Sequence, residues 1–245
     1  MELQATGNSG VLKTVGFEKI YVSVRQKENR MYSDLQVEKL PSIEKTHLHY
    51  KEWEMRKRSV GRLKKYLERK SKSLAILEIG SGNGWLSKEL SQIKNAYVTG
   101  IETNEVELRQ AQRVYAKRTN LHFIFGEFGQ YDFVNSYDII LFAASMQYFL
   151  DLKCTLSSAL ALLNEGGEIH LLDSHIYKWD EIKPAATRTR VYYQQMGFSE
   201  MSDFYFHHPI EVLNGFHHNY LYNPSHFMNK IFGKRDLFPW IRVTL

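Results

Sequence analysis

The chain alternates short apolar runs with amphipathic segments from about residue 74 onward. Runs of this length, rich in branched residues, are typical of buried β-strands, and the longer segments between them have helical periodicity. The strand-like runs are LAILEIG (74–80), AYVTGIE (96–102), LHFIFGEF (121–128), YDIILFAAS (137–145) and EIHLLD (168–173). The helix-like segments cover 85–93, 104–118, 151–163 and 185–197. This alternation predicts βαβ units, and right-handed crossovers then give an α/β, doubly wound, mostly parallel sheet.

The two ends of the chain have a different pattern. Residues 15–55 are rich in Tyr, His and charge and are broken by Pro41, which predicts a helical cap or arm. Residues 204–240 form an aromatic tail, and WIRVTL (240–245) reads as a last strand of a terminal antiparallel hairpin. We therefore expect an N-terminal arm over 1–55 and one compact unit over 56–245.

Composition places the chain among globular proteins. The hydrophobic fraction is 43% and the charged fraction 24%, which allows a sizeable core. The single cysteine, Cys154, excludes an internal disulfide framework and indicates a reducing compartment. There is no apolar run long enough to span a membrane and no secretory leader at the N-terminus. The expectation is a cytoplasmic protein.

The net charge of +5 is concentrated in one segment. Residues 56–72 hold nine basic residues and one acid, or +8, so the remainder carries −3. Trp53, Val60, Leu63 and Leu67 fall at helical spacing, which predicts a helix with one apolar stripe packed inward and its charged face in solvent. The alternative is a phosphate-binding surface for nucleic acid.

The first strand runs directly into a glycine-rich loop. The sequence from Glu78 to Trp85 is EIGSGNGW, and a helix follows. Glycines at this position permit a tight turn and close approach of a ligand, and the helix offers free N–H groups. Glu102 ends the second strand, near the offset expected for an acid that binds a ribose. Glu127 and Phe128 end the third strand, offering an acceptor and a ring to a nucleobase.

These elements resemble class I S-adenosylmethionine-dependent methyltransferases. The resemblance covers roughly residues 74–175 and rests on LEIGSGNGWLS (77–87), GIET (100–103), FGEF (125–128), YDIILFAASMQYF (137–149) and LLNEGGEIHLLD (162–173), in family order. It implies a seven-stranded, Rossmann-like sheet and S-adenosylmethionine as cofactor. By family position, the cofactor-binding residues would be Glu78, Gly80, Ser81, Gly82, Gly84, Glu102, Thr103, Glu127, Phe128, Ala144 and Ser145.

The methyl acceptor has a weaker signature. The segment after the fourth strand, AASMQYF (143–149), lacks the motifs of base, pyrimidine-C5 or arginine methylation, which favours a small-molecule acceptor methylated on O or N. Ligands in such sheets bind beyond the carboxyl ends of the strands. His175, Asp173 and Tyr148 are the predicted catalytic residues, with His175 as the general base. The predicted substrate-binding residues are Gln147, Tyr148, His47, Tyr50 and Arg188.

Two alternatives remain open at this stage. One is an RNA methyltransferase that grips phosphates with residues 56–72, and the other is a cofactor-binding module without catalysis. The histidine pairs His207-His208 and His217-His218 do not indicate a metal site, because adjacent side chains point apart in regular structure and no zinc-ligand framework accompanies them. The oligomeric state is left open.

Overall fold

In a computed structural model, which describes residues 8–226 and 236–245, seven strands form one mixed sheet. The strands are β1 (Leu74–Ile79), β2 (Ala96–Glu102), β3 (Leu121–Phe125), β4 (Tyr137–Ala143), β5 (Leu163–Leu172), β6 (His217–Tyr222) and β7 (Trp240–Thr244). Their order in the sheet is β3-β2-β1-β4-β5-β7-β6. The first five strands are parallel, whereas β7 is antiparallel to both β5 and β6. The predicted doubly wound sheet with a terminal antiparallel hairpin is confirmed.

Seven helices accompany the sheet within the described residues. They are α1 (Asn8–Lys27), α2 (Asp34–Lys39), α3 (Tyr50–Glu68), α4 (Trp85–Leu90), α5 (Glu105–Val114), α6 (Leu152–Leu160) and α7 (Trp179–Gln195). Side-chain caps fix several starts: Asn104 accepts from the Glu107 N–H and Asp151 accepts from the Cys154 N–H. The first three helices form the predicted N-terminal cap. The division expected after residue 55 falls inside α3.

Each face of the sheet is covered by its own apolar layer. Residues of α2, α3 and α4 pack with Leu74, Ile76 and Leu141 on one face. Residues of α6 pack with Leu77, Phe142 and other strand residues on the opposite face. Successive strand residues point to opposite faces, so strands covered on both sides are apolar along their whole length.

Several predicted boundaries differ from the structure. Strand β5 begins at Leu163 rather than 168, so Gly166-Gly167 lies inside the strand, where the register to β4 shifts. Helix α7 begins at Trp179 rather than 185, although it contains Pro184. Strand β3 ends at Phe125, before Gly126. Residues 1–7 of the predicted arm and 227–235 of the predicted tail lie outside the described residues.

The basic segment packs as predicted, but its charges are not simply solvated. Trp53, Val60, Leu63 and Leu67 are all buried against the sheet, which confirms the apolar stripe. Six of the nine basic side chains, however, form ion pairs within the protein. The pairs are Arg56–Glu52, Arg58–Asp236, Arg62–Asp236, Lys64–Glu89, Lys70–Glu168 and Lys72–Asp138. Most of the local +8 is therefore balanced by acids from other parts of the chain.

Candidate cofactor and acceptor site

The glycine loop between β1 and α4 has backbone conformations that favour glycine. Gly80, Gly82 and Gly84 have φ values of +74°, +53° and +77°. A Cβ on Gly80 would lie 2.7 Å from the Ser145 Cβ, and one on Gly84 would lie 2.5 Å from the Phe123 ring. Both contacts are too short, so these two positions require glycine for space as well as for backbone angle.

Glu78 ends β1 directly below this loop. Its side chain is buried and accepts a hydrogen bond from the Ser87 hydroxyl of α4. Burial raises the pKa of this carboxyl to about 8, against the lowering effect of the Ser87 hydrogen bond. Glu78 also lines the large cavity above the sheet. A buried acid without a basic partner at hydrogen-bond distance is suited to a ligand that brings its own positive charge.

Glu102 ends β2 and shapes the loop from the other side. Its carboxylate accepts from the Gly82 N–H at 2.7 Å and the Asn104 N–H at 2.8 Å, with the Thr103 hydroxyl 3.5 Å away. Burial and the nearby Glu107 both raise the pKa of Glu102. Unlike Glu107, neither Glu102 nor Thr103 lines the cavity. In this arrangement the Glu102 oxygens are already engaged by backbone donors.

The two residues predicted to flank an adenine occupy different environments. Glu127 is exposed and accepts a hydrogen bond from the Gln130 amide at 2.7 Å. Phe128 is buried in the core, with its ring 5.7 Å from Phe133 and 6.3 Å from Phe142. Neither residue lines the cavity. The structure thus gives Phe128 a core-packing position, because three aromatic rings gather beneath the end of β3.

The segment after β4 forms the floor of the cavity. Ala144 has φ +54°, an uncommon angle for a residue with a Cβ, and its backbone N–H donates to the Leu172 carbonyl. Ser145 is buried and donates to the Ile79 carbonyl at 2.7 Å. Ala144 lines the cavity, whereas Ser145 tethers the β4 end to the β1 end. Asp173 has φ +51° at the equivalent point after β5, so unusual backbone angles occur at both strand ends.

Helix α1 contacts Glu107 of α5 and lines the same cavity as the glycine loop, an arrangement that the sequence did not reveal. The Tyr21 hydroxyl donates to Glu107 at 3.3 Å, and the Arg25 guanidinium lies 3.9 Å from the same carboxylate. Burial raises the pKa of Tyr21 well above its ordinary value, so its phenol stays protonated. The Arg25 Nε is buried without a hydrogen-bond partner. The helix therefore directs polar groups into the cavity rather than covering it with apolar ones.

The cavity beneath α1 has a volume of about 480 Å³. It extends from the glycine loop past the ends of β4 and β5 to α7. Of the predicted residues, it is lined by Glu78, Gly80, Ser81, Gly82, Ala144, Gln147, Tyr148, Asp173, His175 and Arg188. His47 and Tyr50 do not line it, and His47 instead packs its ring 5.7 Å from Tyr32. Sequence reasoning missed the wall formed by Tyr21, Arg25, Arg30, Arg56, Tyr192 and Tyr205.

The three predicted catalytic residues all line this cavity, each with different neighbours. His175 is exposed, and burial on one side together with the charge of Arg188 lowers the pKa of its imidazole. Burial raises the pKa of Asp173, against the effect of the positive charge of Arg56. Burial also raises the pKa of Tyr148, so its hydroxyl remains a donor at neutral pH. The site thus offers one neutral imidazole and one protonated phenol, beside a carboxyl whose pKa is raised by burial.

The residues near the loop fit an amino-acid nucleoside such as S-adenosylmethionine. Two buried polar atoms, the Ser81 Oγ and the Arg25 Nε, lack partners at the cavity wall. Glu78 can accept a hydrogen bond from an ammonium group. Because the glycines have no side chains, a ligand can come close to the backbone of the loop. No group of three His, Cys, Asp or Glu side chains able to hold a metal occurs in the described parts of the chain. No helix of residues 8–226 or 236–245 is long and apolar enough to cross a membrane.

This sheet order, with a glycine loop after β1 and an acid at the end of β2, defines the class I methyltransferase fold. A family model described as a methyltransferase domain matches residues 70–208, and the chain belongs to this family of S-adenosylmethionine-dependent enzymes. No curated protein matches it in sequence.

Three solved structures share the fold. The magnesium protoporphyrin IX methyltransferase ChlM of Synechocystis PCC 6803, with bound S-adenosylhomocysteine, is 15% identical with a TM-score of 0.61, covering 95% of this chain and 100% of its own. The plantazolicin methyltransferase BpumL, also with S-adenosylhomocysteine, is 13% identical with a TM-score of 0.55, covering 95% and 97%. YcgJ of Bacillus subtilis is 16% identical with a TM-score of 0.54, covering 67% and 70%. At these identities the likeness extends to the fold alone.

Proposed function

We propose that this enzyme transfers a methyl group from S-adenosylmethionine to an oxygen or nitrogen of a small molecule. The observation that carries the proposal is the cavity of about 480 Å³ that joins the glycine loop to the ends of β4 and β5. Its size is in the range of small-molecule sites, and α1 lies over it. The ion pairs of residues 56–72 weigh against RNA as the acceptor, because most of those charges already have protein partners.

The residues of the loop would orient the cofactor. Glu78 would accept a hydrogen bond from the ammonium group of the cofactor. Arg56, beside Glu78 in the cavity wall, would balance the negative charge of the cofactor's carboxylate. Glu102 would keep the loop closed by accepting from the Gly82 N–H. When bound, S-adenosylmethionine supplies an electrophilic methyl group on a positively charged sulfur. Holding the acceptor in line with that methyl contributes much of the rate.

The far end of the cavity would bind the acceptor and take its proton. His175 is kept neutral at pH 7 by burial and by Arg188, so its imidazole can accept a proton from a hydroxyl or ammonium acceptor. Tyr148 and Gln147 would hydrogen-bond the acceptor from the β4 side. Asp173, a carboxyl whose pKa is raised by burial, would position the acceptor at this end of the cavity.

The experiment that tests the proposal is a transfer assay with radiolabelled cofactor. Pools of phenols, amines and carboxylic acids are offered in parallel with total RNA, using wild type, His175→Gln and Glu78→Gln. We expect label in a small-molecule pool and none in RNA, with H175Q reducing kcat more than KM. Label found in RNA alone, or transfer to small molecules that H175Q leaves unchanged, would contradict the corresponding part of the proposal.

A further inference from the structure

The acceptor end of the cavity is bordered by a row of aromatic rings drawn from several segments of the chain. Phe238, just before β7, lies 4.6 Å from the His175 ring, and His175 lies 5.6 Å from Tyr177. Tyr177 lies 5.4 Å from His207, which lies 5.2 Å from Tyr205. Rings packed at tilted or edge-on angles hold one another in place. The row is suited to a planar ligand.

Arg188 of α7 lies at the same end of the cavity. It differs from the other arginines of the cavity wall in its charge partners. Arg25, Arg30 and Arg56 each face a protein carboxylate, at 3.9, 2.6 and 3.1 Å respectively. The Arg188 side chain is exposed and has no hydrogen bond or ion pair with any residue that the structure describes. Its guanidinium is therefore free to take a carboxylate from a ligand.

The Arg188 charge lowers the pKa of two histidines of the ring wall. After burial, Arg188 is the next cause that lowers the pKa of His175, and it also lowers the pKa of His207. The nearest acid on its own helix is Glu181, and the Glu181 carboxylate already accepts from the Lys178 N–H at the start of α7. The charge of Glu181 opposes that of Arg188 at both His175 and Tyr177, and at each ring Arg188 has the larger effect.

We propose that the acceptor is an aromatic carboxylate, held by Arg188 through its carboxylate and by the ring wall through its plane. The inference rests on the proposed function and names the substrate class of the same site. A guanidinium binds a carboxylate through two parallel hydrogen bonds, which fixes the in-plane orientation of the ring. Packing of the ligand ring against Tyr177 and Phe238 would fix the tilt of that ring. Together they would direct a ring hydroxyl or amino group toward His175 and the glycine loop.

Matched ligands and matched variants test this assignment. Isothermal titration with saturating S-adenosylhomocysteine would compare hydroxybenzoates, aminobenzoates and hydroxycinnamates with their primary amides and with a cyclohexane carboxylate. The protein variants are Arg188→Gln and the control Arg190→Gln, which removes an exposed arginine of the same helix that does not line the cavity. We expect the best aromatic acid to bind at least about tenfold more tightly than its amide, the order of one charge-assisted contact.

The variants decide whether Arg188 is the cause. We expect R188Q to remove the preference for acid over amide, and R190Q to retain it. The inference is overturned if every acid and amide pair binds equally, if the saturated acid binds as well as the aromatic one, or if both variants lose the preference equally. In each of these cases S-adenosylhomocysteine would still bind, whereas failure of the proposed function itself would appear as loss of S-adenosylhomocysteine binding.

Discussion

Replacing Glu78 with Gln should stabilise the ligand-free protein and weaken its cofactor binding. The carboxyl has an ordinary pKa of 4.5 in the unfolded chain, and burial raises it to about 8 in the folded one. Folding at neutral pH therefore takes up a proton. Between pH 4.5 and pH 7 this uptake costs about 3 kcal/mol. Gln has no charge to lose and can still accept from the Ser87 hydroxyl.

The sign of the pH dependence follows from the raised pKa. The contribution of Glu78 to stability is fully present below pH 4.5 and is lost as the pH rises through about 8. Urea denaturation should therefore show a gain for E78Q that is small at pH 5 and about 3 kcal/mol at pH 7. S-adenosylhomocysteine should bind E78Q about 10- to 100-fold more weakly, since the partner of its ammonium group becomes neutral.

The control is Glu44→Gln, which removes an exposed carboxylate that does not line the cavity. A lower stability of E78Q than of wild type at pH 7, or an equal gain at pH 5 and pH 7, would contradict the raised pKa of Glu78. A gain in stability without any loss of affinity for S-adenosylhomocysteine would leave the burial argument intact. It would remove Glu78 from the proposed cofactor site.

Three further substitutions test the geometry around the site by urea denaturation. Gly84→Ala should cost about 2 kcal/mol or more, because its Cβ would overlap the Phe123 ring at φ +77°; an unchanged midpoint would contradict the loop conformation. Ala144→Gly should stabilise by about 1 kcal/mol by relieving φ +54°, and a loss would show that the angle is unstrained. Asp236→Asn should destabilise by about 2 kcal/mol, since it leaves Arg58 and Arg62 without their buried acid; a neutral result would deny that pairing a structural role.

The parallel strands and the glycine loop could be predicted because their signals are local. Continuous apolar runs indicate strands that are covered on both faces. The sequence EIGSGNG (78–84) at the end of β1 predicts a tight turn from neighbouring residues alone. The acid at the end of β2 was also predictable from its offset. What its oxygens contact was not, since the Gly82 N–H comes from another loop.

The parts that could not be predicted depend on contacts between distant residues. Arg58 pairs with Asp236 across 178 positions of sequence, so the basic segment read alone resembled a free positive surface. Phe128 lies next to an acid that suggested a nucleobase site, but its rotamer places the ring among Phe133 and Phe142. Tyr21 and Arg25 line the cavity because α1 packs against Glu107 of α5, and no motif in α1 predicts that contact.

The most direct test of the account is calorimetric titration of the protein with S-adenosylhomocysteine at pH 7 in two buffers of different ionisation enthalpy. Glu78 is mostly protonated in the free protein and would become ionised beside the ligand ammonium group. We expect one molecule of S-adenosylhomocysteine to bind with the release of close to one proton, and we expect E78Q to abolish this proton release. Absence of binding up to the millimolar range, or binding without proton release, would contradict the claim that this cavity holds the cofactor through Glu78.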